Sequence, residues 1–416
     1  MEQLKECRIC KCTVEKILDL GDLALSGIFP DRNEYVPTLP IAICKCQNKN
    51  CELVQLYNIF SVEILYGETY GYRSGLNESM VQHLHNTVDK LMTYIDEKNH
   101  CNILDIGSND GTLLNYYNRN NKDFYGIDPS ANKFKNYYKT DINIINDFFT
   151  RKLVQNKKFK IITTISMFYD LPDPIEFSRD ITSSLDDDGI WFTEMSYYIS
   201  MIRSSSFDTI CHEHLEYYRL KQLKYIADTV GLKIINIDFN DVNGGSINCI
   251  FTKKENNKFD ECKELIMKIL KDEEEFFKID QIELLKQKMT ILNENLQKLF
   301  KGIKNNNEII HGYGASTKGN ILLQYYNIDN KILDCIAEVN EYKFNKFTPG
   351  TNIQIVSDSI SKSMRPNYYL VLPWHFRNNI IKREFQYMNN GGKLIFPLPR
   401  LEIVSVINSV IVSEYI

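Results

Sequence analysis

Apolar positions change their period along this chain, and the changes divide it. From Met80 to Asp96 they recur near i, i+3, i+4 and i+7, which predicts an amphipathic helix. From Asn102 the pattern becomes short apolar runs between helical stretches. NILDIG reads as a buried strand, and GTLLNYYN as a helix start. FYGIDP and FKIITTISM are further strands, a helix follows near residues 175–185, and GIWFTEMSY is another strand. Such alternation predicts a parallel α/β sheet. Residues 254–306 are rich in Glu and Lys with a helical period, and read as one or two connecting helices with solvated faces. The run Asn305–Asn307 reads as a boundary loop. From Glu308 the α/β pattern resumes: EIIHGYGAS enters a glycine-bearing turn, and ILDCIAEV, IQIVS, YYLVLPW and GGKLIFPLP are strand candidates. Two Rossmann-like units in tandem are therefore expected. Residues 1–60 show the weakest period and read as a small loop-rich module.

Composition narrows the class. A chain of 416 residues is too long for one ordinary core and predicts two or three domains. A formal net charge of −5 argues against a surface built to neutralise nucleic-acid phosphates. No apolar run approaches the roughly 20 residues that span a bilayer. The start, MEQLKECRIC, lacks the apolar segment of a secretory signal, so the expected compartment is the cytoplasm. Six of the 11 cysteines fall within the first 51 residues. An odd count without an export signal favours metal over disulfides. Cys7 and Cys10 form a C-x2-C pair, and Cys46 and Cys51 a C-x4-C pair. Four thiolates on two turns suit tetrahedral zinc, in a structural site because no position stays open. Cys12 and Cys44 compete as ligands.

Five further segments carry candidate chemistry. Asp105-Ile106-Gly107-Ser108-Asn109-Asp110-Gly111-Thr112 lies between a strand and a helix, where glycines let a ligand approach the backbone. Asp128 ends the next strand, placed to accept hydrogen bonds from ribose hydroxyls. No pyrophosphate cradle is evident, so S-adenosylmethionine fits better than a dinucleotide. Asp147, Phe148 and Ser166 sit at later strand ends, positions that flank an adenine. Asp208 to Tyr218 holds His212 and His214 among acids and phenols, and histidine suits proton abstraction near neutral pH. Asn243-Gly244-Gly245-Ser246 is a turn. Gly312 to Gly319 offers backbone amides, Ser316 and Lys318 to a phosphate, without a clear ribose acid. Trp374-His375 follows an apolar strand and is a candidate pocket wall.

These segments, in this order, resemble the sugar C-methyltransferases, which act on nucleotide-linked keto-deoxysugars. The likeness runs through the paired cysteines followed by Glu52 to Leu56, then Ile106 to Gly111, Gly126 to Pro129, Asp208 to His214, Asn243 to Ser246, and Gly312 to Gly319. It implies a zinc-binding domain (1–70), a central class I methyltransferase Rossmann-like domain (71–254), and a helical connector with a Rossmann-like substrate-binding domain (255–416). The implied reaction is deprotonation beside a ketone, then attack of the enolate on the sulfonium methyl, feeding polysaccharide or glycosylated-metabolite synthesis. His214 matches the base, Glu213 a substrate-contacting acid, and Tyr72 a tyrosine near sugar and cofactor. Cys211 stands where the family commonly has Tyr, and His375 where Asn is usual, which suggests a divergent subfamily. The cofactor set is then Asp105, Gly107, Asn109, Gly111, Asp128, Pro129, Asp147, Phe148 and Ser166. The substrate set is Tyr197, His212, Asn243, Ser316, Lys318 and His375. The expected partner is a nucleotide-sugar, not nucleic acid or membrane, for a monomer or homodimer. Transfer to O or N, an epimerase or dehydrogenase using Gly312 to Gly319, and a non-catalytic zinc-stapled module are the rival readings.

Overall fold

The computed structural model describes residues 2–32, 34–60, 73–96 and 98–416. The N-terminal module contributes strands β1 (Glu2–Gln3), β2 (Val14–Ala24), β3 (Thr38–Cys46), β4 (Val54–Leu56) and β5 (Asn58–Ile59). It is more regular than its pattern suggests. β2 and β3 pair antiparallel from Val14↔Cys46 to Ala24↔Thr38, but the register shifts at Lys16/Leu18 and Asp19/Gly21. Each shift breaks the two-residue alternation from which a strand is read.

The central unit adds β6 (Cys101–Ile106), β7 (Lys122–Ile127), β8 (Ile142–Ile145), β9 (Phe159–Ile165), β10 (Leu185–Ser196), β11 (Glu216–Tyr217), β12 (Leu232–Asn240) and β13 (Ser246–Lys253). Seven of these form one sheet in the order β12-β13-β10-β9-β6-β7-β8. β10, β9, β6, β7 and β8 run parallel, and β13 pairs antiparallel with both β10 and β12. The chain leaves β6 in one direction through β7 and β8, then returns to its other side through β9. That reversal opens a crevice beyond the strand ends, where α/β sheets bind ligands. The helix Glu78–Met92 buries Met80, Leu84, Val88 and Leu91, one side of a 3.6-residue period. Asn77 caps it through Ser79 N.

Two helices, Lys263–Phe276 and Gln281–Asn305, connect to the second sheet. Asn305 is the last helical residue, so the boundary loop begins at Asn306, the C-cap. The C-terminal strands are β14 (Ile310–Tyr313), β15 (Ile336–Glu338), β16 (Ile355–Ser357), β17 (Tyr368–Val371), β18 (Lys393–Phe396), β19 (Glu402–Ile407) and β20 (Val410–Tyr415). They are ordered β16-β15-β14-β17-β18-β19-β20, parallel as far as β18 and antiparallel beyond. The pattern does not predict the last hairpin. β20 is exposed on both faces, so it has no inside-outside alternation to read.

The N-terminal module does not stand apart. Leu18, Leu20, Ile41 and Ile43 share a core with Met201, Phe207 and the C-terminal sheet. Cys7, Ile9, Cys46 and Leu53 pack with Phe168, Trp191 and Tyr218 of the central unit. Its main sheet has the order β11-β4-β3-β2, so the strand that follows His214 is an edge strand of the cysteine-bearing module. Among the described residues no helix is long and apolar enough to cross a membrane.

Candidate active site and metal centre

The crevice beside β6 holds a cavity of about 180 Å³. Asp105, Gly107, Asn109, Asp128, Pro129, Asp147, Phe148 and Ser166 all line it. Gly111 stands behind the turn. At φ +73°, an added Cβ there would lie 2.6 Å from the Tyr138 ring, so only glycine fits. The Asp128 carboxylate accepts from Asn109 N at 2.9 Å and Ser130 N at 2.6 Å, which fixes it at the cavity wall. Asp105 is buried and takes the Thr163 hydroxyl at 2.6 Å; burial raises its pKa to about 7. Sequence reasoning missed Met80 and Leu84, which give the cavity an apolar side from the helix Glu78–Met92. Their helical period was legible, but not the face they turn to the ligand. Apolar walls with a fixed carboxylate at the end of β7 suit an adenosyl group whose ribose hydroxyls need acceptors.

The histidine segment divides its side chains between two directions. His212 is fully buried, with Nε2 3.3 Å from Leu39 O and the ring edge-on to Phe60. Burial lowers its pKa to about 4. His214 faces the other way, its ring edge-on to Tyr169 at 4.5 Å. His214 Nδ1 lies 2.7 Å from Thr209 O. A carbonyl only accepts, so Nδ1 carries the hydrogen and Nε2 keeps its lone pair. Burial, and then the Lys318 cation, lower the His214 pKa to about 3, so the ring is neutral at pH 7. Of Cys211 to His214, only His214 is half-buried, and the other three are buried. Burial pushes the Cys211 thiol well up and the Glu213 carboxyl up, so the thiol is not a thiolate. Glu213 packs on the N-terminal module: a Cβ at Gly27 would lie 2.6 Å from its Oε1. Tyr72 lies outside the described residues.

The C-terminal unit closes the site. Lys318 Nζ donates to Asn243 O at 2.9 Å, and Asn243 Nδ2 donates to Ser166 Oγ at 3.1 Å. Asn243 therefore joins the end of β9 to Lys318. Burial lowers the Lys318 pKa, partly offset by Asp208 and Cys211 nearby. Asp208 accepts from Trp374 Nε1 at 2.8 Å. The Trp374 ring fills the space above Gly244, where a Cβ would meet it at 3.0 Å. His375, beside Trp374, has its pKa lowered to about 3 by burial and then Lys318. Asn243, Lys318 and His375 thus gather near His214.

Three expected substrate residues are engaged elsewhere. Tyr197 OH donates to Glu273 Oε1 at 2.9 Å, tying β10 to the connecting helix, although Tyr197 shares a small cavity with His214. The His212 ring is enclosed as described. Ser316 caps the helix Thr317–Tyr325 by accepting from Gly319 N at 3.0 Å. The acid that the sequence did not reveal in the C-terminal turn is Glu338, at the end of β15, which takes Ala315 N at 2.8 Å.

The Sγ atoms of Cys7, Cys10, Cys46 and Cys51 all lie within 4.8 Å of one another. Cys7–Cys51 is 3.7 Å and Cys10–Cys46 is 3.3 Å. Zn–S bonds of about 2.3 Å give tetrahedral S···S edges of about 3.8 Å, so the set fits zinc. Without a cation the thiols compete for charge: a hydrogen bond from Cys51 lowers Cys7 to about 5, while burial pushes Cys46 up to about 12. A divalent ion lets all four ionise. Cys12 and Cys44 are outside the cluster; Cys44 Sγ instead lies 3.5 Å from Gln55 O.

Three family models match in chain order. "Putative zinc binding domain" covers residues 7–66, "Methyltransferase domain" residues 76–237, and "C-methyltransferase C-terminal domain" residues 241–399. The chain is 25% identical over 415 residues to C-methyltransferase NovU of Streptomyces niveus, covering 97% of each. Among solved structures it is similar to magnesium protoporphyrin IX methyltransferase (ChlM) of Synechocystis PCC 6803 with bound SAM. That match has 12% identity and a TM-score of 0.33, over 42% of this chain and 79% of the other. A second is an S-adenosylmethionine-dependent methyltransferase of Clostridium acetobutylicum ATCC 824, with 12% identity and a TM-score of 0.33, over 42% of this chain and 92% of the other. The sheet order, the pocket at its switch point and the matched models define an S-adenosylmethionine-dependent methyltransferase carrying a zinc-binding domain. The C-terminal model and the match along nearly the whole chain make the protein similar to a divergent C-methyltransferase.

Proposed function

We propose that the protein methylates a carbon adjacent to the ketone of a nucleotide-linked sugar. The observation that carries this reading is the bridge from Ser166 through Asn243 to Lys318, beside a His214 whose Nδ1 is locked on Thr209 O. S-adenosylmethionine, held by Asp128, Gly107 and their neighbours, supplies an electrophilic methyl group. His214 Nε2 takes the proton from the carbon acid. Lys318 stands where its ammonium offsets the charge that develops on the ketone oxygen. The same cation holds His214 neutral before the reaction, and the enolate compensates the imidazolium once it forms. With the donor bound, the carbon would take its methyl group, the sulfur keeping the bonding pair, and His214 would return its proton to solvent. Asn243 and His375 face the sugar, while Glu213 and Cys211 shape the wall behind His214.

The rival dinucleotide reading has less support, because the amides of Gly312, Gly314, Ala315 and Gly319 bond within the chain and the Glu338 carboxylate at the end of the next strand is held by three backbone amides. The test is turnover with labelled methyl donor and a panel of nucleotide-linked keto-sugars, with the product analysed for the methylated atom. A new carbon–carbon bond supports the proposal. Label found only on O or N, or no acceptor among the keto-sugars, overturns it.

A further inference from the structure

The zinc module does more than fold itself. Arg8 lies between ligands Cys7 and Cys10, yet it is only 6% exposed, and its guanidinium meets Gln55 Oε1 at 3.4 Å. Its Nη1 donates to Leu56 O at 2.9 Å and Leu215 O at 3.4 Å. Its Nε lies 3.5 Å from the buried carboxylate of Glu216. Its own amide is held by Gln55 Oε1 at 3.1 Å. Leu215 O also accepts from Leu56 N at 2.8 Å, and Leu215 N donates to Tyr169 O at 2.8 Å. β11 pairs with β4 through Glu216↔Gln55 and Tyr217↔Val54. The residue after His214 is thus clamped by the metal-bearing module on one side and by the cofactor unit on the other. Tyr169, the cofactor-side clamp, is also the ring against which His214 packs.

We propose that Arg8 is a positioning residue for methyl transfer: the four-cysteine knuckle fixes its guanidinium, which holds Leu215 and Glu216 and so aims His214 at the substrate carbon. The role is geometric. A guanidinium is always charged and presents a rigid fork of donors, which a lysine reproduces only in part. Burial raises the Glu216 pKa well above the ordinary carboxylate range and Arg8 partly offsets this, so removing Arg8 takes away both that offset and the bonds to Leu56 O and Leu215 O, a loss expected to loosen this strand first. An error of about 1 Å in a reacting group can cost about 10²-fold in rate. This inference rests on His214 as the base.

The test uses the full-length zinc-loaded protein and its Arg8→Met, Arg8→Lys, Glu216→Gln and His214→Ala variants. Zinc content, S-adenosylhomocysteine affinity, amide hydrogen exchange and the nitrogen NMR signature of His214 are measured for each. Arg8→Met is expected to keep its zinc and to bind S-adenosylhomocysteine within about twofold of the parent. Exchange at Leu215 to Tyr217 should rise at least about tenfold. His214 should lose its single Nδ1–H tautomer, and kcat should fall about 10²-fold with KM changed far less. Arg8→Lys should recover part of each loss. If Arg8→Met fails to fold, Glu216→Gln is expected to move the same exchange and NMR signals in the same direction. Unchanged exchange and tautomer in a zinc-loaded variant would overturn the proposal, as would exchange that rises uniformly across the chain. If His214→Ala keeps full turnover while Arg8→Met still loosens residues 215–217, the reading of His214 as base falls and takes with it the role of Arg8 in aiming that base, whereas loosening without a change at His214 overturns the aiming role alone.

Discussion

The molecule builds the same strand-turn-helix device twice and uses it differently. In the central unit the turn after β6 is tied to an acid at the end of the neighbouring parallel strand, Asn109 N to Asp128 at 2.9 Å. In the C-terminal unit the turn after β14 is tied likewise, Ala315 N to Glu338 at 2.8 Å. The first turn opens on a cavity. The second is covered. Lys343 Nζ donates to Ala315 O at 2.7 Å and lies over the Phe29 ring at 4.4 Å. Asn320 Nδ2 reaches Ser26 O of the N-terminal module at 2.8 Å, and Gln324 hydrogen-bonds both the amide and the carbonyl of Ala24. The Glu338 carboxylate is saturated by three backbone amides, those of Ala315, Val339 and Asn340. Topology alone therefore does not make a nucleotide site; what covers the turn decides it. The second turn instead leads into the helix that carries Lys318, whose ammonium donates to Asn243 O.

The contrast can be broken from either side. His214→Ala should show the largest effect, a loss of about 10²–10⁴ in turnover with S-adenosylhomocysteine affinity unchanged, measured by methyl-transfer kinetics and calorimetry. Lys318→Met should follow, with kcat lowered about 10²–10³-fold, because the cation serves the reacting oxygen rather than a distant phosphate. A rise in KM alone would return Lys318 to a phosphate-binding role. Asp128→Ala should weaken S-adenosylmethionine binding about 10–10²-fold through loss of charge-assisted hydrogen bonds. The matched Glu338→Ala should leave that affinity within about twofold and lower only the melting temperature. Equal losses in both would show that the second turn binds cofactor too.

The smallest expected effect is a flat pH profile. With the His214 pKa lowered to about 3, the imidazole is already neutral throughout the range above pH 5. Between pH 8 and 5.5, kcat/KM should change less than about twofold on its account. A base at the ordinary histidine pKa of about 6.5 would lose about tenfold over that range.

Much of this was legible in the sequence for a physical reason. Buried parallel strands are apolar runs, and the glycines and acids at their ends have fixed spacings, so residues between Asp105 and Ser166 that line the cavity could be named in advance. The four zinc ligands were separable by spacing from Cys12 and Cys44 only as a preference, and the folded turns make the choice. The misses are tertiary. No local pattern reveals that β11 joins the sheet of the cysteine module, or that His212 and His214, two residues apart, face different units. Tyr197 and Ser316 carried suitable atoms, but Glu273 and the start of a helix claimed them first. Glu338 lies in the strand candidate ILDCIAEV, but only the sheet order, which sets β15 beside β14, brings it to the Gly312–Gly319 turn.

Solvent exchange tests the central claim most directly. The protein, with S-adenosylhomocysteine bound in place of the methyl donor, is incubated in D2O with a nucleotide-linked keto-sugar that it methylates, and deuterium at the carbon beside the ketone is followed by NMR. The account predicts incorporation by the parent protein at the carbon that becomes methylated, and a loss of about 10²-fold or more in His214→Ala. Methylation of that sugar without any exchange in the parent, or exchange that persists unchanged in His214→Ala, would contradict it.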